Sequence, residues 1–183
     1  YWGAQVGQPD VLAFDMGGTT AKMCLIHNGR PEISPSLEVA RLQRFKKGSG
    51  YPLQLPTVEM LEIGAGGGSI AWIDSLGLLQ IGPESAGANP GPACYGFGGN
   101  CAKAMGEVVG GEMALDPEAA RATITRVAEP LELSPVEAAA GIHRLVNENM
   151  ASAAKIHVIE KARDPRNYAI MCFGGAGPVH AAG

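Results

Sequence analysis

Three times in this 183-residue chain a short apolar run meets a cluster of glycines, and that recurrence restricts the fold more than any other feature. The first instance is Val11-Leu-Ala-Phe-Asp-Met-Gly-Gly-Thr-Thr-Ala-Lys-Met-Cys-Leu-Ile26. Val11 to Phe14 and Ala21 to Ile26 are rich in strand formers and short enough to be buried strands. Between them, Gly17 and Gly18 let the backbone turn and come close to a ligand, so that successive N–H groups can point at it. Thr19 and Thr20 add hydroxyl donors, and Asp15 can hold a divalent cation directly or through water. A phosphate bound beside Mg²⁺ would use all of these; a glycine hairpin whose Asp caps its own turn would use them as well.

The second instance, Met60-Leu-Glu-Ile-Gly-Ala-Gly-Gly-Gly-Ser-Ile-Ala-Trp-Ile-Asp74, sets Gly66, Gly67, Gly68 and Ser69 between apolar strands. It is not a Walker A loop, because no Gly-Lys-Ser/Thr follows, and not a dinucleotide fingerprint, because Ser69 stands where the third glycine belongs. The third is Tyr168-Ala-Ile-Met-Cys-Phe173 running into Gly174-Gly-Ala-Gly-Pro178. Strand, glycine turn and Pro at a helix start make a further place for backbone to approach an anion or a nucleotide through Gly174, Gly175 and Gly177.

The segments between these junctions set the remaining elements. Residues 11–42 read as a three-stranded antiparallel meander, with Asn28-Gly29 as a type I′ turn and a third strand over Ser36 to Leu42. Lys46 to Pro52 is a polar connector marked by Gly and Pro. Ile70 to Ile73 and Leu78 to Ile81 form a hairpin across Asp74 to Gly77. Gly82 to Asn100 carries so many Gly and Pro residues that an irregular, packed loop is expected. Asp116-Pro117-Glu118 opens a helix ending by Pro130, and Ser134-Pro-Val-Glu137 is a capping box. It starts a long amphipathic helix whose apolar positions are Val136, Ala139, Ile142, Val146, Met150, Ala153 and Ile156.

Composition bounds the function classes. Hydrophobic residues make up 46% of the chain, enough for a core, and a net charge of −4 argues against non-specific nucleic-acid binding. Arg41, Arg44, Lys46 and Lys47 form the only basic cluster and read as a solvated strand end. No apolar run of the length a membrane-spanning helix needs occurs, and Tyr1 to Gln5 has no signal-peptide pattern, so no membrane association is expected. The absence of an initiating Met makes a fragment the expectation. Cys24, Cys94, Cys101 and Cys172 show no zinc-type spacing; Cys24 and Cys172 fall in buried strands, and a reduced, cytoplasmic protein is expected. His143 and His157 share the long helix at a spacing that excludes a ligand pair, and His180 lies within reach of the last glycine loop.

Phe14 to Lys22, Gly64 to Ala71, Gly82-Pro-Glu-Ser-Ala-Gly-Ala-Asn-Pro-Gly-Pro-Ala-Cys-Tyr-Gly96 and Phe173 to Pro178 together closely resemble the hydantoinase A/5-oxoprolinase family, which also includes acetone-carboxylase β-type subunits. The resemblance implies a ribonuclease-H-like, actin-like ATPase lobe of α/β class, with a mixed sheet and packed helices. It implies ATP and Mg²⁺ as cofactors, with Asp15, Gly17, Gly18, Thr19 and Thr20 as the second phosphate loop and Asp15 as the catalytic and Mg²⁺-facing carboxylate. Gly174, Gly175 and Gly177 would form the adenosine-side motif, and Gly66, Gly67, Gly68 and Ser69 would line the same cleft.

The family uses ATP to activate a cyclic amide or a ketone by phosphorylation, so ATP-dependent hydrolysis of hydantoin or 5-oxoproline-type cyclic amides is the implied activity. A ketone-carboxylase subunit and a non-catalytic nucleotide- or partner-binding lobe are the two rivals. The whole of residues 1–183 is read as a partial domain, with a glycine-loop, β-rich part over 11–99 and a helical part over 111–183. A full-length member pairs such a half with an N-terminal half carrying the first phosphate loop, and with a B-type subunit. The sequence departs from the family after Phe97-Gly-Gly99, where Asn100 to Val109 replaces a Pro-Thr-Val-Thr-Asp-Ala-like segment and about one more helix. Because the chain stops at Gly183, just after the adenosine motif, it is expected not to turn over substrate alone.

Overall fold

The structure, a computed structural model, describes residues 1–39, 48–93, 107–108 and 113–182. The basic cluster Arg41 to Lys47, Cys94, Cys101 and, apart from residues 107–108, the departure from the family after Gly99 lie outside the described residues.

After a single-turn helix α1 (Trp2–Gln5), strand β1 (Val11–Met16) turns at the first glycine pair into β2 (Ala21–His27). The two strands pair antiparallel from Val11↔Ile26 to Met16↔Ala21. Alternation then decides which side chains are inside. Leu12, Phe14 and Met16 of β1 and Ala21, Met23 and Leu25 of β2 share one buried face, while Ala13, Asp15, Lys22 and Cys24 share the other. Asn28 and Gly29 both take positive φ, 50° and 74°, the geometry of the anticipated type I′ turn.

The meander continues differently from expectation. β3 (Arg30–Pro31) pairs with the end of β2, but Pro31 has no N–H and the ladder cannot run on as one strand. The chain leaves the sheet through β4 (Ile33–Ser34) and β5 (Leu37–Val39), and returns through β6 (Tyr51–Leu53) and β7 (Thr57–Val58). β4 pairs with β7 and β5 with β6, so these strands form an arm of their own. The third place in the sheet therefore belongs not to Leu37–Val39, the described strand of the expected Ser36 to Leu42, but to β8 (Met60–Ile63), which takes up the same edge of β2, Ala21↔Ile63 to Cys24↔Met60. A hydrogen bond of 2.8 Å from Glu59 N–H to the Glu32 carbonyl joins the two parts of this edge.

β9 (Ser69–Ile73) and β10 (Leu79–Ser85) form the anticipated hairpin, and Asp74 closes its turn by accepting from the N–H groups of Leu76 and Leu78 at 2.9 Å each. β10 runs to Ser85 past Gly82 and Pro83, further than the glycine content suggested; a bulge between Ile81 and Ser85 absorbs the Pro. β11 (Glu107–Val108) and β12 (Met113–Ala114) form a small separate ribbon.

Helix α2 (Pro117–Ala128) begins where Asp116 accepts from the N–H groups of Glu118 and Ala119. Helix α3 (Pro135–Ile159) begins with the Ser134/Glu137 capping box, both reciprocal bonds being present. Its 25 residues reach about 37 Å, enough to cross two sheets. Ile142 packs with Val127 and Ala71 on the β9–β10 ribbon, while Val146, Met150 and Val158 pack on the buried face of β1 and β2. Each fully buried aliphatic side chain, such as Leu25 or Val158, contributes about 1.5–3 kcal/mol. The buried stripe is Ala138, Ile142, Val146, Asn147, Met150, His157 and Val158. Val136 and Ile156, expected on it, are 73% and 58% exposed, because the stripe advances from Met150 through Ala153 and Ala154 to His157 and leaves Ile156 beside it.

The last strand, β13 (Ala169–Phe173), lies parallel to β1, Val11↔Ala169 to Asp15↔Phe173, and leads through a glycine turn to the short helix α4 (Gly177–His180). One parallel and several antiparallel pairings make the central sheet mixed, with α3 packed on one face, which agrees with the expected class.

Candidate functional site

All three glycine junctions fall at one end of the sheet. β1 and β13 are parallel and end together, at Asp15↔Phe173, and β8 ends against the start of β2, at Ile63↔Ala21. Ligand crevices of open α/β sheets form outside the carboxyl ends of parallel strands.

The first loop is exposed at Gly18 and Thr19, and its turn is closed by Gly17 N–H donating to the Thr20 carbonyl at 3.2 Å. Among the described residues, the N–H groups of Gly18 and Thr19 make no backbone hydrogen bond. A Cβ at Gly17 or Gly18 would meet nothing within 4 Å, so this loop faces open space.

The second loop lies beneath the first and is locked to it. Gly67 and Gly68 N–H donate to the carbonyls of Gly17 and Gly18 at 2.9 and 2.6 Å. Gly66 N–H donates to Ser69 Oγ at 2.8 Å, and Ser69 N–H to the Gly66 carbonyl at 3.1 Å. Gly66 and Gly68 are buried, and a Cβ at Gly66 would collide with the Gly18 carbonyl and approach Thr19 C to 2.6 Å. The glycines of this loop thus permit contact between two backbones, and their N–H groups are spent inside the protein.

The third loop closes on Asp15. Gly174 has φ +84°, a left-handed backbone that favours glycine, and a Cβ there would strike Asp15 Oδ1 and come within 2.5 Å of the Met16 carbonyl. That carbonyl accepts from Ala176 N–H at 2.9 Å. Gly177 is buried over Cys172, whose Sγ would sit 2.7 Å from an added Cβ. Gly174 and Gly175 are exposed. The half-buried Asp15 carboxylate therefore stands between the first and third loops.

Two features not singled out in the sequence emerge. Lys22, opposite Asp15 on β2, donates from Nζ to Thr20 Oγ1 at 2.6 Å and pairs with Glu62 Oε1 at 3.3 Å. Lys22 was visible two residues beyond Thr20, but its partner Glu62 is forty positions away. The second is a polar network behind the third loop. The Asn147 amide donates to His143 Nδ1 at 3.3 Å and accepts from His180 Nδ1 at 2.7 Å, and His143 Nε2 donates to the Val179 carbonyl at 3.3 Å. The two imidazoles stack with centroids 5.0 Å apart. His180, placed near a ligand from the sequence, is buried against α3 and ties α4 to it.

Neither described thiol has the character of a nucleophile. Burial pushes the Cys172 thiol up, and the Asp15 charge adds to it; burial and then Glu32 do the same to Cys24. Both side chains are partly buried. Among the described residues, no group of three or more His, Cys, Asp and Glu side chains is placed to hold a metal ion, and no helix is long and apolar enough to cross a membrane.

A mixed α/β architecture in which the first and third glycine loops meet at one half-buried carboxylate leaves the family open. Comparison with known proteins narrows it. The sequence profile described as Hydantoinase/oxoprolinase matches residues 1–183, and the chain belongs to that family. It is 40% identical over 194 residues to caprolactamase subunit alpha of Pseudomonas jessenii, covering 97% of this chain and 27% of that one. An uncharacterised protein of Methanocaldococcus jannaschii is 41% identical over 193 residues, covering 98% and 28% respectively. Among solved structures, nucleotide-free acetone carboxylase superposes with a TM-score of 0.84 at 29% identity, covering 100% of this chain and 26% of that one. The ATP-dependent caprolactamase of Pseudomonas jessenii superposes with a TM-score of 0.80 at 38% identity, covering 98% and 26%. Both solved relatives are ATP-dependent enzymes, and relatives are named as subunits of larger enzymes. The chain spans about a quarter of the length of these relatives.

Proposed function

We propose that this chain is one actin-like lobe of an ATP-dependent enzyme that hydrolyses cyclic amides through phosphoryl activation, working with the remainder of a longer polypeptide and a partner subunit in the cytoplasm. The observation that carries the reading is the convergence of the first and third glycine loops on Asp15 at the ends of parallel β1 and β13.

The residues present fit a nucleotide with its cation. Gly18 and Thr19 offer N–H groups not used by the backbone, Thr20 a hydroxyl, and Asp15 a carboxylate for Mg²⁺. When bound, ATP supplies the phosphoryl group that makes a carbonyl carbon electrophilic. The work of the chain is positioning and charge compensation, which is what phosphoryl transfer asks of a protein. Gly17 to Thr20 hold the phosphate chain, the exposed Gly174 and Gly175 admit the nucleoside side while Gly177 packs on Cys172, and Gly66 to Ser69 support the first loop from beneath. The cyclic-amide assignment follows the higher identity to the caprolactamase, 38% against 29%. The ketone-carboxylase reading is favoured by the TM-score of 0.84 to acetone carboxylase, and lactam-dependent against ketone- and bicarbonate-dependent ATP consumption separates the two.

Calorimetry with ATP tests the site. Wild-type protein is expected to bind ATP with Mg²⁺. Asp15→Asn should weaken binding in Mg²⁺ by roughly tenfold or more, the scale of a lost charged contact, and leave binding in EDTA equal or tighter because a like charge has gone. Wild-type protein that binds no ATP would overturn the assignment.

A further inference from the structure

The exposed face of the sheet carries a charged row beside the first glycine loop. Asp15, Lys22 and Glu62 are direct cross-strand neighbours on β1, β2 and β8, and residues opposite one another in antiparallel pairs share a face. The opposite face of the same strands is the apolar core, so the row cannot rotate inward. Lys22 is the cation of this row, between two carboxylates.

Three observations set what Lys22 can do. Its ammonium reaches Thr20 Oγ1 at 2.6 Å, which places the charge on the loop itself. By donating to a lone pair of that hydroxyl, Lys22 leaves the Thr20 O–H to donate elsewhere. Its second partner is replaceable: the Glu62 pair is 3.3 Å long, with side chains 41% and 59% exposed. Exposed pairs of this kind are worth little and exchange readily for a stronger anion.

We propose that Lys22 is a side-chain phosphate contact of this site, its ammonium leaving Glu62 for the phosphate chain of a bound nucleoside triphosphate while keeping Thr20 aimed at the same anion. This rests on the nucleotide reading given above and adds a residue and a property to it. Asp15 and Glu62 alone would repel a polyphosphate in the absence of a divalent cation. Lys22 offsets them, so the site retains affinity for ATP without Mg²⁺, and Glu62 competes with the ligand for the same ammonium.

Calorimetric titration with ATP, in Mg²⁺ and in EDTA, on wild type, Lys22→Gln, Lys22→Arg and Glu62→Gln tests this. Lys22→Gln should lose roughly tenfold to a hundredfold in EDTA, the range of a hydrogen bond to a charged group, less in Mg²⁺, and show a shallower salt dependence. Lys22→Arg should stay within about threefold of wild type, since the guanidinium keeps the charge and phosphate-binding donors. Glu62→Gln should bind more tightly than wild type, and this gain should vanish in the Lys22→Gln background, as expected for coupled neighbours. Lys22 is partly exposed, and unchanged far-ultraviolet circular dichroism would show that the variants fold. Equal affinity and salt dependence for Lys22→Gln and wild type would overturn the proposal while leaving the nucleotide reading in place. Failure of wild type to bind ATP in either buffer would overturn both.

Discussion

Gly66 and Gly18 are both glycines of the candidate site, and their surroundings ask opposite things of them. Gly66 faces the backbone of Gly18 and Thr19, so a methyl group there meets atoms that cannot swing aside. Gly66→Ala should cost about 1–3 kcal/mol of stability, the usual range for overpacking, seen as a lower urea midpoint. Gly18→Ala meets open space and should leave the midpoint unchanged or slightly raised, yet reduce ATP affinity by occupying the ground where a phosphate sits. If both variants lost stability alike, the division of labour between the two loops would fail. The distinction is invisible in sequence, where each is simply a glycine next to another glycine. It requires knowing which side of each loop faces protein.

At the scale of elements, the edge of the sheet beside β2 is assembled from two pieces. β3 and β8 are joined by the Glu59–Glu32 bond and clamped by Lys161, whose Nζ lies 2.9 Å from Glu32 and 2.7 Å from Glu59. Arg163 adds a contact to Glu32 at 3.3 Å. Burial alone would draw the Lys161 pKa down, but the bonds from Glu59 and Glu32 outweigh it and the net shift is upward. Burial likewise pushes Glu32 up, and Lys161 with Arg163 outweighs it, so its folded pKa lies below 4.5. A depressed carboxylate stabilises the fold above its unfolded pKa, and the contribution is lost as pH falls through the folded value. Stability should therefore drop below about pH 4.5 by more in wild type than in Lys161→Met, where the clamp is already gone. Lys161→Met itself should lower stability at pH 7 by about 1–3 kcal/mol, because Glu59 then loses its cation and Glu32 keeps Arg163 alone. A denaturation series across pH reads both effects, and parallel curves for the two proteins would refute the clamp.

The same edge shows what was legible in the chain. Asn28-Gly29, Asp116 and the Ser134/Glu137 box are legible in the sequence because their signals act over a few residues. The partner of β2 was not, because Leu37–Val39 and Met60–Ile63 are equally plausible strands, and Pro31 together with Glu59 decides between them. The glycine loops were recognisable as candidates, but Lys22 gained its meaning only when Glu62 arrived on the neighbouring strand. Asn147, a polar residue on a largely apolar stripe, gave no sign that two histidines waited for it.

For the molecule as a whole, the ends of the sheet have different tasks. Away from the glycine loops, His27 Nδ1 lies 2.9 Å from both Asp10 Oδ1 and the Tyr168 hydroxyl, tying the far ends of β2 and β13 together. At the near end, Gly17 and Gly18 of the first glycine loop face open space. Ligand that binds only the folded state must stabilise it, by about 2.7 kcal/mol at a hundredfold excess over Kd. Saturating ATP with Mg²⁺ should therefore raise the thermal midpoint of wild type, and the shift should shrink in Gly18→Ala; an unmoved wild-type midpoint would count against the site.

The bonds from Gly67 and Gly68 to the carbonyls of Gly17 and Gly18 have a thermodynamic consequence for recognition. A free glycine pair explores more backbone conformations than any other dipeptide, and a ligand that had to order one would forfeit that entropy on binding. Here the ordering is completed when the domain folds, so on the proposed function the first loop would meet its ligand already ordered. Affinity at Gly17 to Thr20 is thereby partly a property of residues that never touch the ligand, and loosening the second loop should slow capture and hasten release even with every contacting group intact.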